Sequence, residues 1–224
     1  MLKTSLVDQL YHILKERIMN LELKLGQKID MQKIANEFGI SQTPARDVLN
    51  RLVQEGLVKL VPRVGYYVMS LSPEDLTEIY DLRKMFECHA LKSAINDTNE
   101  DKLREIKRIS ENMRGETGRK IKKAKFDEID LRLHSLIINS TRNKRLKDLF
   151  LQVYGFVKIS LWLGFDLDRA LKEHIELIDA LLEKNLPKST RILEKHINNS
   201  VREARRLLRR YSMAKNKIFT ANEV

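Results

Sequence analysis

Asp130 and His134 stand four residues apart in a run that otherwise reads as amphipathic helix, so both project from one face, one turn from each other. Phe126, Ile129, Leu133, Ile137 and Ile138 surround them. A carboxylate and an imidazole within such an apolar stripe need a partner, because burying them unpaired is costly. His174 is flanked by Leu171, Ile175 and Ile178, and His196 by Ile192, Leu193 and Ile197. If these three segments converge, one Asp and three His form a site for Zn2+ or another borderline transition metal. The same residues also fit a plainer account, in which the histidines are boundary residues and Asp130–His134 is a helix-surface pair. Spacing leaves both open.

The elements that must carry these groups are helical. Beyond residue 75 no strand alternation occurs, and apolar periodicity predicts helices over 74–95, 100–113, 119–140, 144–163, 167–182 and 188–211. Residues 114–118 (Arg-Gly-Glu-Thr-Gly) break the pattern, and Pro187 sits where the last helix opens. Four Pro and eight Gly, almost all at predicted breaks, point to an all-α second domain of about six helices in an antiparallel bundle. Ser72-Pro73-Glu74-Asp75 is a compact helix start, with a cap, a first-position Pro and acids in the first turn. It sets the domain limits at 1–71 and 72–212, with 213–224 as a polar, frayed tail. Arg202, Arg205, Arg206, Arg209 and Arg210 suit the cation-favouring C-terminal end of a helix; the alternative is a second nucleic-acid surface. His12 has no evident partner and reads as a surface or boundary histidine, and His89 reads as structural.

The first domain reads differently. Leu6, Leu10, Ile13, Leu14, Ile18 and Leu21 recur at helical spacing. Residues 34–52 then read as helix, tight turn, helix, with Gly39 able to end the first and Ser41 placed to cap the second. Val48, Leu49 and Leu52 form a buried stripe, leaving Gln42, Thr43, Arg46 and Asn50 outward. In a helix-turn-helix the second helix enters the DNA major groove. Two short β-rich runs over 58–62 and 66–70 flank Arg63-Val64-Gly65, a hairpin wing whose tip can approach a minor groove or phosphates. The fold class is therefore mainly α: three helices and a β-hairpin wing, then the helical bundle.

Composition agrees. Of 224 residues 42% are hydrophobic, enough for a core, and the net charge of +11 suits a polyanionic partner. A single Cys88 excludes an internal disulfide framework and fits a cytoplasmic location. No apolar run is long enough to span a membrane, and the first residues do not read as a signal peptide.

Leu25-Gly26-Gln27-Lys28-Ile29, Gly39-Ile40-Ser41-Gln42-Thr43-Pro44-Ala45-Arg46-Asp47-Val48-Leu49, Glu55-Gly56-Leu57-Val58 and Pro62-Arg63-Val64-Gly65 resemble the DNA-binding domain of the GntR family. The resemblance implies that Gln32, Gln42, Thr43 and Arg46 read a double-stranded operator, with Lys28, Arg51, Arg63 and Gly65 at the backbone. Gln32 and Gln42 depart from the arginines common there; Gln can pair bidentately with adenine, whereas Arg favours guanine. Phe126-Asp127-Glu128-Ile129-Asp130-Leu131-Arg132-Leu133-His134, Lys172-Glu173-His174 and Leu193-Glu194-Lys195-His196 resemble the metal motif of the FCD domain of FadR-like GntR regulators. That resemblance implies one divalent transition metal per chain, held by Asp130, His134, His174 and His196. Zn2+ is the first expectation, and Ni2+ or Mn2+ are alternatives. It also implies a small carboxylate metabolite at or near the metal. Tyr80-Asp81-Leu82-Arg83-Lys84-Met85-Phe86-Glu87 resembles the first effector-domain helix, in which Arg83 could clamp that carboxylate; an i,i+4 surface pair with Glu87 is the competing account. The expectation is a homodimeric repressor and not an enzyme. A metal-dependent hydrolase, or a regulator with a purely structural metal, are the alternatives.

Overall fold

The computed structural model describes residues 5–113, 119–163 and 165–221, and the chain divides after Ser72 into two compact units. In the first, α1 (Leu6–Met19) is capped by Ser5, whose hydroxyl accepts the Asp8 N–H at 3.1 Å. Its stripe of Leu10, Leu14 and Ile18 packs against α3. α2 (Met31–Phe38) starts at Asp30, which accepts the Lys33 N–H, and ends at Gly39 with φ 62°, the left-handed conformation that costs glycine nothing. α3 (Gln42–Gln54) starts at Ser41, whose hydroxyl makes no cap hydrogen bond. Ala45, Val48, Leu49 and Leu52 are fully buried, each of the three larger side chains contributing roughly 2 kcal/mol by leaving water.

The sheet has three strands, β1 (Lys28–Ile29), β2 (Val58–Val61) and β3 (Gly65–Val68), ordered β1-β3-β2 and antiparallel throughout. Lys28 lies opposite Tyr67, and Leu60 opposite Tyr66. The sequence predicts only the hairpin; β1 is two residues long, too short for alternation to register. At the wing tip the Val64 N–H donates to the Val61 carbonyl at 3.1 Å around Pro62-Arg63. Arg63 takes φ 63°, an uncommon conformation for a residue with a side chain, and one that the turn enforces.

The second unit comprises α4 (Pro73–Ala94), a single 3-10 turn (Ile95–Asp97), α5 (Glu100–Asn112), α6 (Arg119–Ser140), α7 (Lys144–Leu161), α8 (Leu167–Leu182) and α9 (Leu186–Ala221). Asn99, Asn143 and Asp166 cap α5, α7 and α8 through their side chains. α4 packs against α6, α7 and α9, and α8 against α5, α6 and α9. The core includes Leu76, Tyr80, Phe126, Leu133, Phe150, Val157, Leu171, Leu177, Leu193 and Ile197. The break predicted at 114–118 lies outside the described residues. One expectation is corrected: the tail beyond residue 212 is helical, because α9 continues to Ala221. No Pro or Gly interrupts 188–221, so nothing in the sequence ends the helix at 212. Among the described residues no helix is long and apolar enough to cross a membrane.

Candidate metal centre and nucleic-acid interface

Three helices of the second unit bring the four polar groups together. α6 supplies Asp130 and His134, α8 His174 and α9 His196, and none of the four is more than 1% exposed. One ligand atom from each lies within 4.8 Å of all the others. Asp130 Oδ1 is 3.2 Å from His174 Nε2 and 3.6 Å from His134 Nε2. The imidazole centroids are 4.7 to 5.3 Å apart. The alternative of boundary histidines on separate helix surfaces is thereby excluded.

Each group is also held from behind. His134 Nδ1 lies 2.5 Å from Glu87 Oε2, and Glu87 in turn accepts Arg83 Nε–H at 2.8 Å. His196 Nδ1 lies 2.8 Å from Glu173 Oε2, whose other oxygen accepts the Asn199 amide at 2.6 Å. The Tyr154 hydroxyl donates to Asp130 Oδ2 at 2.7 Å, and the His174 ring stacks on Phe126 at 5.5 Å. With Nδ1–H committed to a carboxylate, the lone pair of Nε2 in His134 and His196 turns inward. Those two atoms and both nitrogens of His174 are buried without a hydrogen-bond partner. One orphaned nitrogen from each of the three imidazoles, beside a carboxylate, is costly in a dry core and fits a divalent cation. Sequence reasoning misses Glu87, Glu173 and Tyr154 as supports. The surface pairing of Arg83 with Glu87 is corrected: the pair exists, but it is buried, at 1% and 0% exposure.

In the first unit a groove between α3 and the wing is lined by Lys28, Gln32, Gln42, Arg46, Asn50, Arg63 and Gly65, among others. Gln42 donates its amide to Gln32, which donates to Asn36 at 2.8 Å, so the amides at the front of α3 form a chain. Tyr66 on β3 donates to Asn50 at 2.8 Å and ties the wing to α3. A Cβ at position 65 would stand 3.6 Å from Lys28 Cε. Thr43 is exposed on α3 but does not line the groove. Arg51 also stays outside it: its guanidinium lies 3.7 Å from the Tyr11 ring centroid and 3.1 Å from Asp8, facing α1.

Two family matches cover these two units. Residues 6–68 match the family described as "Bacterial regulatory proteins, gntR family", and residues 78–199, more than half of the chain, match the FCD domain. The chain is a GntR-family regulator with an FCD domain. It is 28% identical over 208 residues to the HTH-type transcriptional regulator YdhC of Bacillus subtilis, covering 89% of this chain and 91% of that one. It is 22% identical over 205 residues to the transcriptional repressor RspR of Escherichia coli, covering 88% and 90%. The fold matches that of Escherichia coli McbR/YncC with a TM-score of 0.73 at 20% identity, over 93% of this chain and 99% of that one. These relatives are transcription regulators and not enzymes, and the GntR domain makes this protein a DNA-binding regulator.

Electrostatics in the FCD domain favour ligation at His174, His196 and Asp130. Burial, reinforced by the neighbouring imidazoles, holds His196 well below the usual histidine range, and burial likewise lowers His174. Both are therefore neutral near pH 7, the form that binds metal. Burial opposes ionisation of Asp130, but the charges of His134 and Arg83 outweigh it and keep the carboxylate ionised. Against burial and Arg83, Glu87 and Asp130 in turn raise His134, so ligation there releases a proton. Arg83 itself is fully buried, and its Nη2 has no hydrogen-bond partner, lying 3.9 Å from Asp130 Oδ2.

Proposed function

We propose that this GntR/FCD regulator is a repressor whose operator affinity is set by a small carboxylate metabolite bound beside a Zn2+ ion in the FCD domain. The observation that carries the reading is the set of inward, unpartnered nitrogens on His134, His174 and His196 around Asp130. Held there, Zn2+ supplies a positive charge that an exogenous carboxylate oxygen can meet. The chain's own part is to fix the ligands: Glu87 and Glu173 hold the imidazole tautomers, Tyr154 turns Asp130, and Phe126 packs on His174. Arg83 Nη2 supports the effector half of the reading, because a buried guanidinium nitrogen lacking an acceptor suits a carboxylate. The name of RspR supports the repressor assignment. A homodimer on a two-fold operator follows from the few bases that one winged helix can reach. Gln42, Gln32 and Arg46 read that operator, with Lys28 and Arg63 at the phosphates.

A second reading also has an observation behind it. Four ligands at 1% exposure or less suit a closed, purely structural metal. Operator DNA selected from a random-sequence pool separates the two. Its affinity is measured by anisotropy against a panel of small mono-, di- and tricarboxylates, for wild type and Arg83→Gln. The expected result is a shift of at least tenfold with one member of the panel, lost in Arg83→Gln while metal content is kept. Affinity unmoved by the whole panel would overturn effector control and leave the structural metal. An effector must favour one of two DNA-binding arrangements, or it regulates nothing.

A further inference from the structure

The basic residues of this chain are not concentrated in its winged unit. Residues 1–72 hold ten of the 42 Lys and Arg and seven of the 31 Asp and Glu, so most of the +11 net charge lies in the second unit. One concentration of it is on α9, where Arg202, Arg205, Arg206, Arg209 and Arg210 with Met213 line one shallow surface groove. At 100° per residue these positions fall within an arc of about 140°. The opposite side carries Ala204 and Leu208, which are buried against the bundle.

The helix dipole does not account for this face. Cations are favoured only in the last turn, and α9 runs on to Ala221, so the arginines lie well inside the helix. Ion pairing does not account for it either. The sole acid among residues 202–213 is Glu203, which is buried and engaged by Arg169 and the Asp166 N–H; Arg206 reaches it only at 3.7 Å. Arg205 lies 3.8 Å from Glu74. Among the described residues, Arg202, Arg209 and Arg210 make no ion pair. Like charges spaced three and four apart on one helix repel and destabilise it. A face of this kind is relieved by a polyanion.

We propose that the arginine face of α9 is a second, sequence-independent binding surface for the phosphates of duplex DNA. The face is about 12 Å long, while a duplex carries one phosphate charge per ~1.7 Å of axis, so it spans several phosphates. Duplex DNA is the polyanion that the same chain already engages through its winged helix-turn-helix. Arginine forks match phosphate oxygens bidentately.

The test is the salt dependence of binding to a labelled mixed-sequence duplex of about 40 base pairs, which excludes operator reading. Each phosphate that the protein no longer neutralises lowers the slope of log K against log salt by about 0.9. For Arg202→Gln/Arg206→Gln/Arg209→Gln/Arg210→Gln the slope is expected to fall by two or more, with affinity at low salt down at least tenfold. Arg209→Gln/Arg210→Gln, at two exposed positions of α9, is expected to lower it by about one or more. The corresponding lysine variant is expected to restore most of the slope. A wild-type slope in the double variant, at unchanged affinity, would overturn the proposal and leave a merely solvated face. Displacement of the duplex by inorganic phosphate at matched ionic strength, from wild type but not from the variants, would assign the face to free anions and overturn it equally.

Discussion

Of the three histidines in the FCD centre, two have a carboxylate behind them, and the third is held only by an aromatic face. Glu87 and Glu173 are therefore the side chains that make His134 and His196 into preset ligands. Replacing Glu87 by Gln keeps the shape but removes the charge, and metal affinity is expected to fall roughly 10- to 100-fold, as read by chelator competition. An unchanged affinity would mean that Glu87 serves only to neutralise Arg83. Asp127 gives a second handle. Burial pushes its carboxyl up to about 6, against the pull of Trp162 Nε1–H, which donates to it at 2.7 Å. The folded protein holds this proton more tightly than the unfolded chain does. Asp127 thus favours stability at low pH, and its contribution declines as pH rises from the ordinary value of 3.8 through about 6. Trp162 is the sole tryptophan, so its emission is expected to show a transition near pH 6 that Asp127→Asn abolishes, while also flattening stability across that window. Persistence of the transition in Asp127→Asn would assign it to another group.

At the scale of the element, apolar periodicity locates α4 to α8 because each has one buried stripe and a cap or breaker at its limits. What periodicity cannot carry is convergence. Glu87, Glu173 and Tyr154 become supports only when α4, α6, α7, α8 and α9 meet, and nothing in their local sequence distinguishes them from surface acids or a core tyrosine. Arg51 shows the converse: it lies on the correct helix for DNA, yet Tyr11 and Asp8 on α1 claim its guanidinium. β1 is too short to read, and the last turns of α9 are too polar to distinguish from a tail. α3 is held by Ala45, Val48, Leu49 and Leu52, and its position sets the whole reading surface. Leu49→Ala leaves a cavity under the helix and is expected to cost about 2–5 kcal/mol. DNA binding is expected to weaken in parallel with the loss of the first thermal transition, while metal content, which belongs to the other unit, stays at the wild-type level. Loss of metal together with DNA binding would show that the two units fold as one.

At the scale of the whole molecule, the chain joins a DNA-reading unit to a helical unit that carries both the buried Asp–His cluster and most of the excess positive charge. The division is legible from Ser72-Pro73 and from the change of periodicity there. The clustering of arginines is legible as well, but the length of α9 is needed to remove the helix-end explanation. The central claim is that the cluster is a metal site on which control of DNA binding depends. Its most direct test is metal analysis of the purified protein beside His134→Ala/His174→Ala. About one equivalent of divalent metal per chain is expected in wild type, Zn2+ foremost, with loss of it in the double variant. Wild-type protein that holds no metal even after reconstitution would contradict the claim and leave only the DNA-binding half of the function standing.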